Sequence, residues 1–156
     1  MLQHMASSSI SPVPDGQRLF PYLVVKGAAQ AIDFYARAFQ AHESYRLEMG
    51  DKIGHAELSF AGVTVWLADE FPELGFLGPS GSSPVSIVVY VPDVDAVVER
   101  ALAAGATLER PVRDEFYGDR TGVLRDPFGH RWLFHARREL VTPEEMRRRM
   151  ARETTT

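Results

Sequence analysis

A strand, a helix and three more strands can be read twice along this 156-residue chain, and that repetition constrains the fold more than any other feature. In the first copy a strand is predicted near Leu19 to Val25 and a helix over Ala28 to Phe39, where Ala31, Ile32, Tyr35 and Phe39 share one helical face. Strands near Glu43 to Met49, Gly54 to Phe60 and Val63 to Ala68 follow, divided by the turn formers Gly50-Asp51 and Ala61-Gly62. The second copy opens with a strand near Val85 to Val91. Asp93 then caps a helix carrying Val94, Val97, Val98, Ala101 and Leu102 on one face, and Gly105 ends it. Strands near Thr107 to Val112, Arg120 to Leu124 and Arg131 to His135 complete the order. A shift of about 66 residues lays Trp66 on Trp132, Leu67 on Leu133 and Phe20 on Ser86, as an internal duplication requires. The expected fold class is therefore α+β, with βαβββ modules at residues 18–74 and 85–136 and a Gly-, Ser- and Pro-rich linker at 75–84.

The ends carry less. Residues 1–17 lack periodicity, contain Ser7, Ser8, Ser9, Pro12 and Pro14, and read as a disordered or tag-derived segment that includes His4. Within 137–156, Thr142, Pro143 and Glu145 form a capping box that opens a basic amphipathic helix. That helix is expected to lie on the domain by Met146 and Met150 rather than to serve as a nucleic-acid arm. A net charge of −4 gives no electrostatic reason to expect nucleic acid. The lack of cysteine removes disulfides, thiolate metal sites and a cysteine nucleophile. No apolar run approaches the roughly 20 residues of a membrane helix, and no signal-like N-terminus is visible, so no membrane is expected and the cytoplasm is the expected location. The Gly78-Pro79-Ser80-Gly81 run lacks the lysine and the strand-to-helix context of a phosphate loop.

The segments Phe34-Tyr35, His55-Ala56-Glu57-Leu58, Asp93-Val94-Asp95-Ala96, Tyr117-Gly118-Asp119-Arg120 and Asp126-Pro127-Phe128-Gly129-His130-Arg131-Trp132 stand in order along both halves. Together they resemble the PhnB-like branch of the glyoxalase/bleomycin-resistance family, within the vicinal-oxygen-chelate superfamily. The resemblance covers roughly residues 18 to 150. It implies eight strands in two curved mixed sheets around a groove, with helices on the outer face. It also implies a function somewhere between metal-dependent isomerases, lyases, thiol transferases or dioxygenases and metal-free drug-binding proteins.

Metal-binding members place their ligands on the first and last strands of each half. By that resemblance the second-half positions fall on Ser86 and Leu133, and the repeat offset puts the first-half positions at Phe20, or Pro21 after a one-residue slip, and Leu67. These residues cannot supply the imidazole and carboxylate donors that divalent metals require, so neither metal nor cofactor is expected.

Residues two apart share a strand face. Counted from those positions, the groove should carry Phe20, Tyr22, Leu67, Ser86, Val88, Tyr90, Arg131, Leu133 and His135, with His55, Glu57 and Ser59 from the third strand. Tyr117 and Arg120 complete the expected ligand-binding set, while Trp66 and Trp132 should lie under the helices. His55 and Glu57, about 7 Å apart between α-carbons, are the candidate catalytic pair or, more simply, a pair that stiffens the sheet. Arg120 and Arg131 suit an anionic ligand, or else salt bridges to Asp126, Asp119 or Glu57, and His42 and His130 read as surface residues. The leading expectation is a metal-independent protein that binds a small, partly aromatic molecule, such as an antibiotic or metabolite, as a homodimer. A related lyase, isomerase or dioxygenase using a relocated metal or metal-free acid-base chemistry, and a dimeric assembly module without ligand, are the alternatives.

Overall fold

Asp69 determines where the first helix of the molecule begins. In the computed structural model, which describes residues 16–154, its Oδ1 accepts hydrogen bonds from the backbone N–H of Gly27 (3.1 Å) and Ala28 (2.8 Å). Gly27, at φ 90°, offers no side-chain cap of its own, so a carboxylate from the end of a strand satisfies the orphan donors of the helix. Helix α1 spans Ala28–Phe39, as its periodicity predicts, and ends where Gln40 turns left-handed. Helix α2, Val94–Ala103, is capped locally, Asp93 Oδ1 accepting from the Ala96 N–H at 3.1 Å.

The strands are β1 (Tyr22–Val25), β2 (His42–Met49), β3 (Lys52–Phe60), β4 (Val63–Asp69), β5 (Ser86–Tyr90), β6 (Thr107–Asp114), β7 (Asp119–Arg125) and β8 (Arg131–Arg137). They form two mixed four-stranded sheets of identical topology, β1-β4-β3-β2 and β5-β8-β7-β6, each with its first strand parallel to its last. Both sheets pack their inner sides on one core with α1 and α2, which also pack on each other. The ring of Phe39 touches Phe60 from the first sheet (6.0 Å between centroids) and Trp132 (4.9 Å) and Phe134 (5.0 Å) from the second. Among the described residues no strand of one sheet hydrogen-bonds to a strand of the other, so each sheet presents its own open face on the side away from the helices.

The Asp126–His130 segment is architectural. Asp126 is buried, and its Oδ1 accepts from the N–H groups of Phe128 and His130 (both 2.9 Å) while Oδ2 accepts from Tyr35 Oη (2.6 Å) and Trp132 Nε1 (2.8 Å). One carboxyl group therefore shapes its own turn and ties it to α1 of the first module. His130, expected on the surface, is instead half-buried with Nε2 3.0 Å from the Val24 carbonyl oxygen.

At the ends the structure departs from the sequence reading. Gln17 pairs with β4, its Oε1 accepting from Thr64 N–H and its Nε2 donating to Thr64 O, both at 2.8 Å; His4 and residues 1–15 lie outside the described residues. Helix α3, Pro143–Glu153, is capped by Thr142 as expected. It is seated by Arg149, which donates to Phe116 O (3.1 Å) and pairs with Glu139, whereas Met150 is 58% exposed. The two-methionine anchor is thus corrected to Met146 and an arginine. Among the described residues no helix is long and apolar enough to cross a membrane.

Candidate functional site

The two tryptophans lie on opposite sides of their sheets. Trp132 is buried in the core, but Trp66 is on the open face, stacked on Phe20 at 4.6 Å and edge-on to Tyr22 (5.7 Å) and His55 (5.1 Å). Leu67, expected in the groove, is fully buried beneath the helices. Strand register explains the reversal: Tyr22 pairs with Trp66 and Val88 with Leu133, so the repeat offset grows by one residue between the first strand and the last. The Ala61-Gly62 turn and the Asp126–His130 turn differ in length, and a one-residue change moves a side chain to the other face of a strand. Both expectations, Leu67 in the groove and Trp66 under the helices, are corrected.

The open face of the first sheet is aromatic. Phe20, Tyr22, Trp66, His55 and Tyr45 form one contiguous group, extended by Phe76 against Tyr22 at 5.7 Å. His55 and Glu57 meet, with Nε2 3.4 Å from Oε1, at the long end of hydrogen-bond range. Glu57, Ser59, Thr64 and Trp66 line a depression of about 630 Å³ together with Gln17 and Phe20. Trp66 Nε1 is buried there without a partner among the described residues.

The open face of the second sheet is polar. Ser86, Val88, Tyr90, Arg131, Leu133 and His135 share it as expected, and β7 adds Asp119, Thr121 and Val123 in register. His135 Nδ1 lies 3.0 Å from Asp119 Oδ2, and Tyr90 donates to the same oxygen at 2.7 Å. Burial alone would raise the Asp119 carboxyl, but these hydrogen bonds and the Arg137 charge hold it below the usual carboxylate range. Tyr117 stacks over His135 at 6.3 Å. Arg131 is engaged, donating to Glu109 (2.6 Å) and Ser86 Oγ (3.1 Å). Arg120 is not on this face: it has the core-side parity of Ala136 and pairs with Asp95 of α2 (2.7 Å) and Asp114 (3.1 Å). Its place in the expected ligand set is corrected, and both arginines chose carboxylates other than those anticipated, because β6 and α2 were not placed beside them.

Of the residues expected in one groove, Tyr22, His55, Glu57, Tyr90, Arg131 and His135 divide between the two faces. Tyr22 and Arg131 border one cleft near the β1 and β8 ends, His55 and Glu57 stay with the first sheet, and Tyr90 and His135 with the second. The sequence reading missed Trp66, Tyr45, Asp119, Thr121 and Arg110. The alternation Asp119, Thr121, Val123 beside His135 was the signal available for two of them.

Paired βαβββ modules of identical topology, each with one open sheet face, define the class of fold. Residues 13–134 match the family model described as the Glyoxalase/Bleomycin resistance protein/Dioxygenase superfamily, and the chain belongs to that family. The protein Rv0887c of Mycobacterium tuberculosis is 48% identical over 120 residues, covering 73% of this chain and 71% of that protein. Among solved structures, TioX from Micromonospora sp. ML1 superposes with a TM-score of 0.65 at 28% identity, over 78% of this chain and 99% of that one. The fosfomycin resistance protein FosX from Listeria monocytogenes shares the fold, with a TM-score of 0.64 at 20% identity over 84% of this chain and 98% of that one.

The residues do not fit the divalent metal that the family resemblance implies. With the register corrected, the four inherited positions are Phe20, Trp66, Ser86 and Leu133, and the first two are locked in a ring stack. An indole N–H is a donor only, and neither phenyl nor isobutyl has a lone pair to offer. Among the described residues no group of three or more His, Asp or Glu could hold an ion elsewhere.

Proposed function

We propose that this protein binds a small, partly aromatic molecule without a metal, as a member of the PhnB-like branch, and that it does so as a homodimer. The observation that carries this reading is the Phe20–Trp66 stack standing at the inherited ligand positions within an exposed aromatic face. Large apolar groups left open on a sheet face mark a binding surface. Tyr22, Tyr45, Val88 and Tyr90 are all exposed in the single chain. The aromatic face of one protomer laid over the polar face of another would give a groove with one wall for stacking and one for hydrogen bonding. Sequestration of an antibiotic or metabolite in the cytoplasm is the role such a groove suits.

Metal analysis of protein purified without chelator, followed by native mass spectrometry, tests the reading. Dimers carrying a small-molecule adduct and no stoichiometric divalent ion are expected. A stoichiometric ion would overturn the metal-independent reading in favour of a metal-dependent enzyme of the family.

A further inference from the structure

We propose that His135 is a built hydrogen-bond acceptor for the hydroxyl group of a phenol-like ligand, with Asp119 as its positioning residue. This rests on the small-molecule reading above and specifies the chemistry of its polar wall.

Asp119 is 5% exposed and takes bonds on one oxygen from both Tyr90 and His135. Held as a carboxylate, it has no proton to give, so the proton between it and His135 resides on Nδ1. With Nδ1 engaged by Asp119, Nε2 is the ring nitrogen left to serve as an acceptor. That nitrogen is buried and meets no partner among the described residues. Thr121 stands opposite it in register, and Tyr117 and Tyr90 flank the ring at 6.3 and 5.4 Å. Arg110 Nε is also buried and unpaired, while its Nη2 donates to Thr121 Oγ1 at 3.3 Å and pairs with Glu115. One face thus offers an unused acceptor, an unused donor and two aromatic rings. A carboxylate ligand could satisfy only the donor. A hydroxyl on an aromatic ring supplies the proton that His135 lacks, an oxygen for Arg110 and a ring to lie against Tyr117. Tyr117 precedes Gly118, at φ +99°, in a turn held by hydrogen bonds from Arg138 and Glu139 N–H to Gly118 O, so the covering ring sits on a defined turn.

The test compares 2-naphthol with 2-methylnaphthalene, which has the same shape without the donor, by fluorescence titration of the full-length protein. Naphthol is expected to bind about tenfold more tightly. His135→Phe should erase that preference, and Asp119→Asn should reduce it. Long-range 15N spectra of the wild type should place the proton on Nδ1. A proton on Nε2, or a preference that survives His135→Phe, overturns the proposal even if a variant folds poorly, because the spectrum needs only the native protein. Equal binding of both probes overturns the acceptor but leaves the aromatic-ligand reading standing. Binding of neither overturns both.

Discussion

Tyr35 on α1 donates its phenol hydrogen to Asp126 Oδ2 at 2.6 Å, across 91 residues of chain. The first module's helix thereby completes the turn between the last two strands of the second. Asp126→Ala would leave Tyr35 Oη, Trp132 Nε1 and two backbone N–H groups buried without an acceptor. At about 1–3 kcal/mol for each unsatisfied group, several kcal/mol of stability should be lost. Tyr35→Phe removes only one bond and strands no donor, so its loss should be near 1 kcal/mol. Urea unfolding of the two variants decides, and equal losses would count against the shared-carboxyl account.

The tryptophans give the second prediction. Trp132, 1% exposed amid Tyr35, Phe39, Phe60 and Phe134, should lose about 3–5 kcal/mol on replacement by alanine. Trp66→Ala removes a ring from an open face, so it should cost less stability and should weaken binding of 2-methylnaphthalene. Calorimetry together with titration separates the two, and a Trp66 variant that binds normally would exclude the aromatic wall.

The contrast between these residues marks how far the sequence could be read. Helix α1 was legible to the residue, because apolar spacing and a following turn define it locally, and the repeated order of elements implied two equal sheets. Parity within β8 was also legible, since Leu133 and His135 stand on the open face. Parity within β4 was not, because it depends on the lengths of turns elsewhere in each module, and one residue suffices to invert it. The partners of Arg120 and Arg131 were hidden for a different reason. Asp95 and Glu109 lie 25 and 22 residues away, and only the packing of α2 and β6 brings them within reach.

The depressed Asp119 carboxyl gives a pH prediction with a definite sign. A group whose folded value lies below its ordinary 3.8 stabilises the fold above that value, and the contribution disappears as pH falls through the folded value. Asp119→Asn should therefore flatten the acid side of the stability profile and leave less to lose below about pH 4. Urea midpoints measured from pH 2 to 6 check this, and parallel profiles for wild type and variant would contradict it.

The last prediction concerns where a complete groove is assembled. Trp66 stands on the first sheet and His135 on the second, and the depression lined by Trp66 does not reach His135. If the groove forms between protomers, Trp66→Ala and His135→Phe each spoil every site in a homodimer of that variant. A mixed dimer of the two is different. One of its grooves combines both substitutions, and the other combines an intact first face with an intact second face, so it should bind 2-naphthol with wild-type affinity. Co-expressed, differently tagged variants should thus recover up to one site per dimer, whereas the separately purified variants recover none. Sedimentation should show a dimer at micromolar concentration, and a monomer near 17.4 kDa would remove the basis for the experiment and for the homodimer together. Should mixed dimers form and yet fail to recover binding, the groove would have to be built within a single chain, by a rearrangement that turns the two faces toward each other.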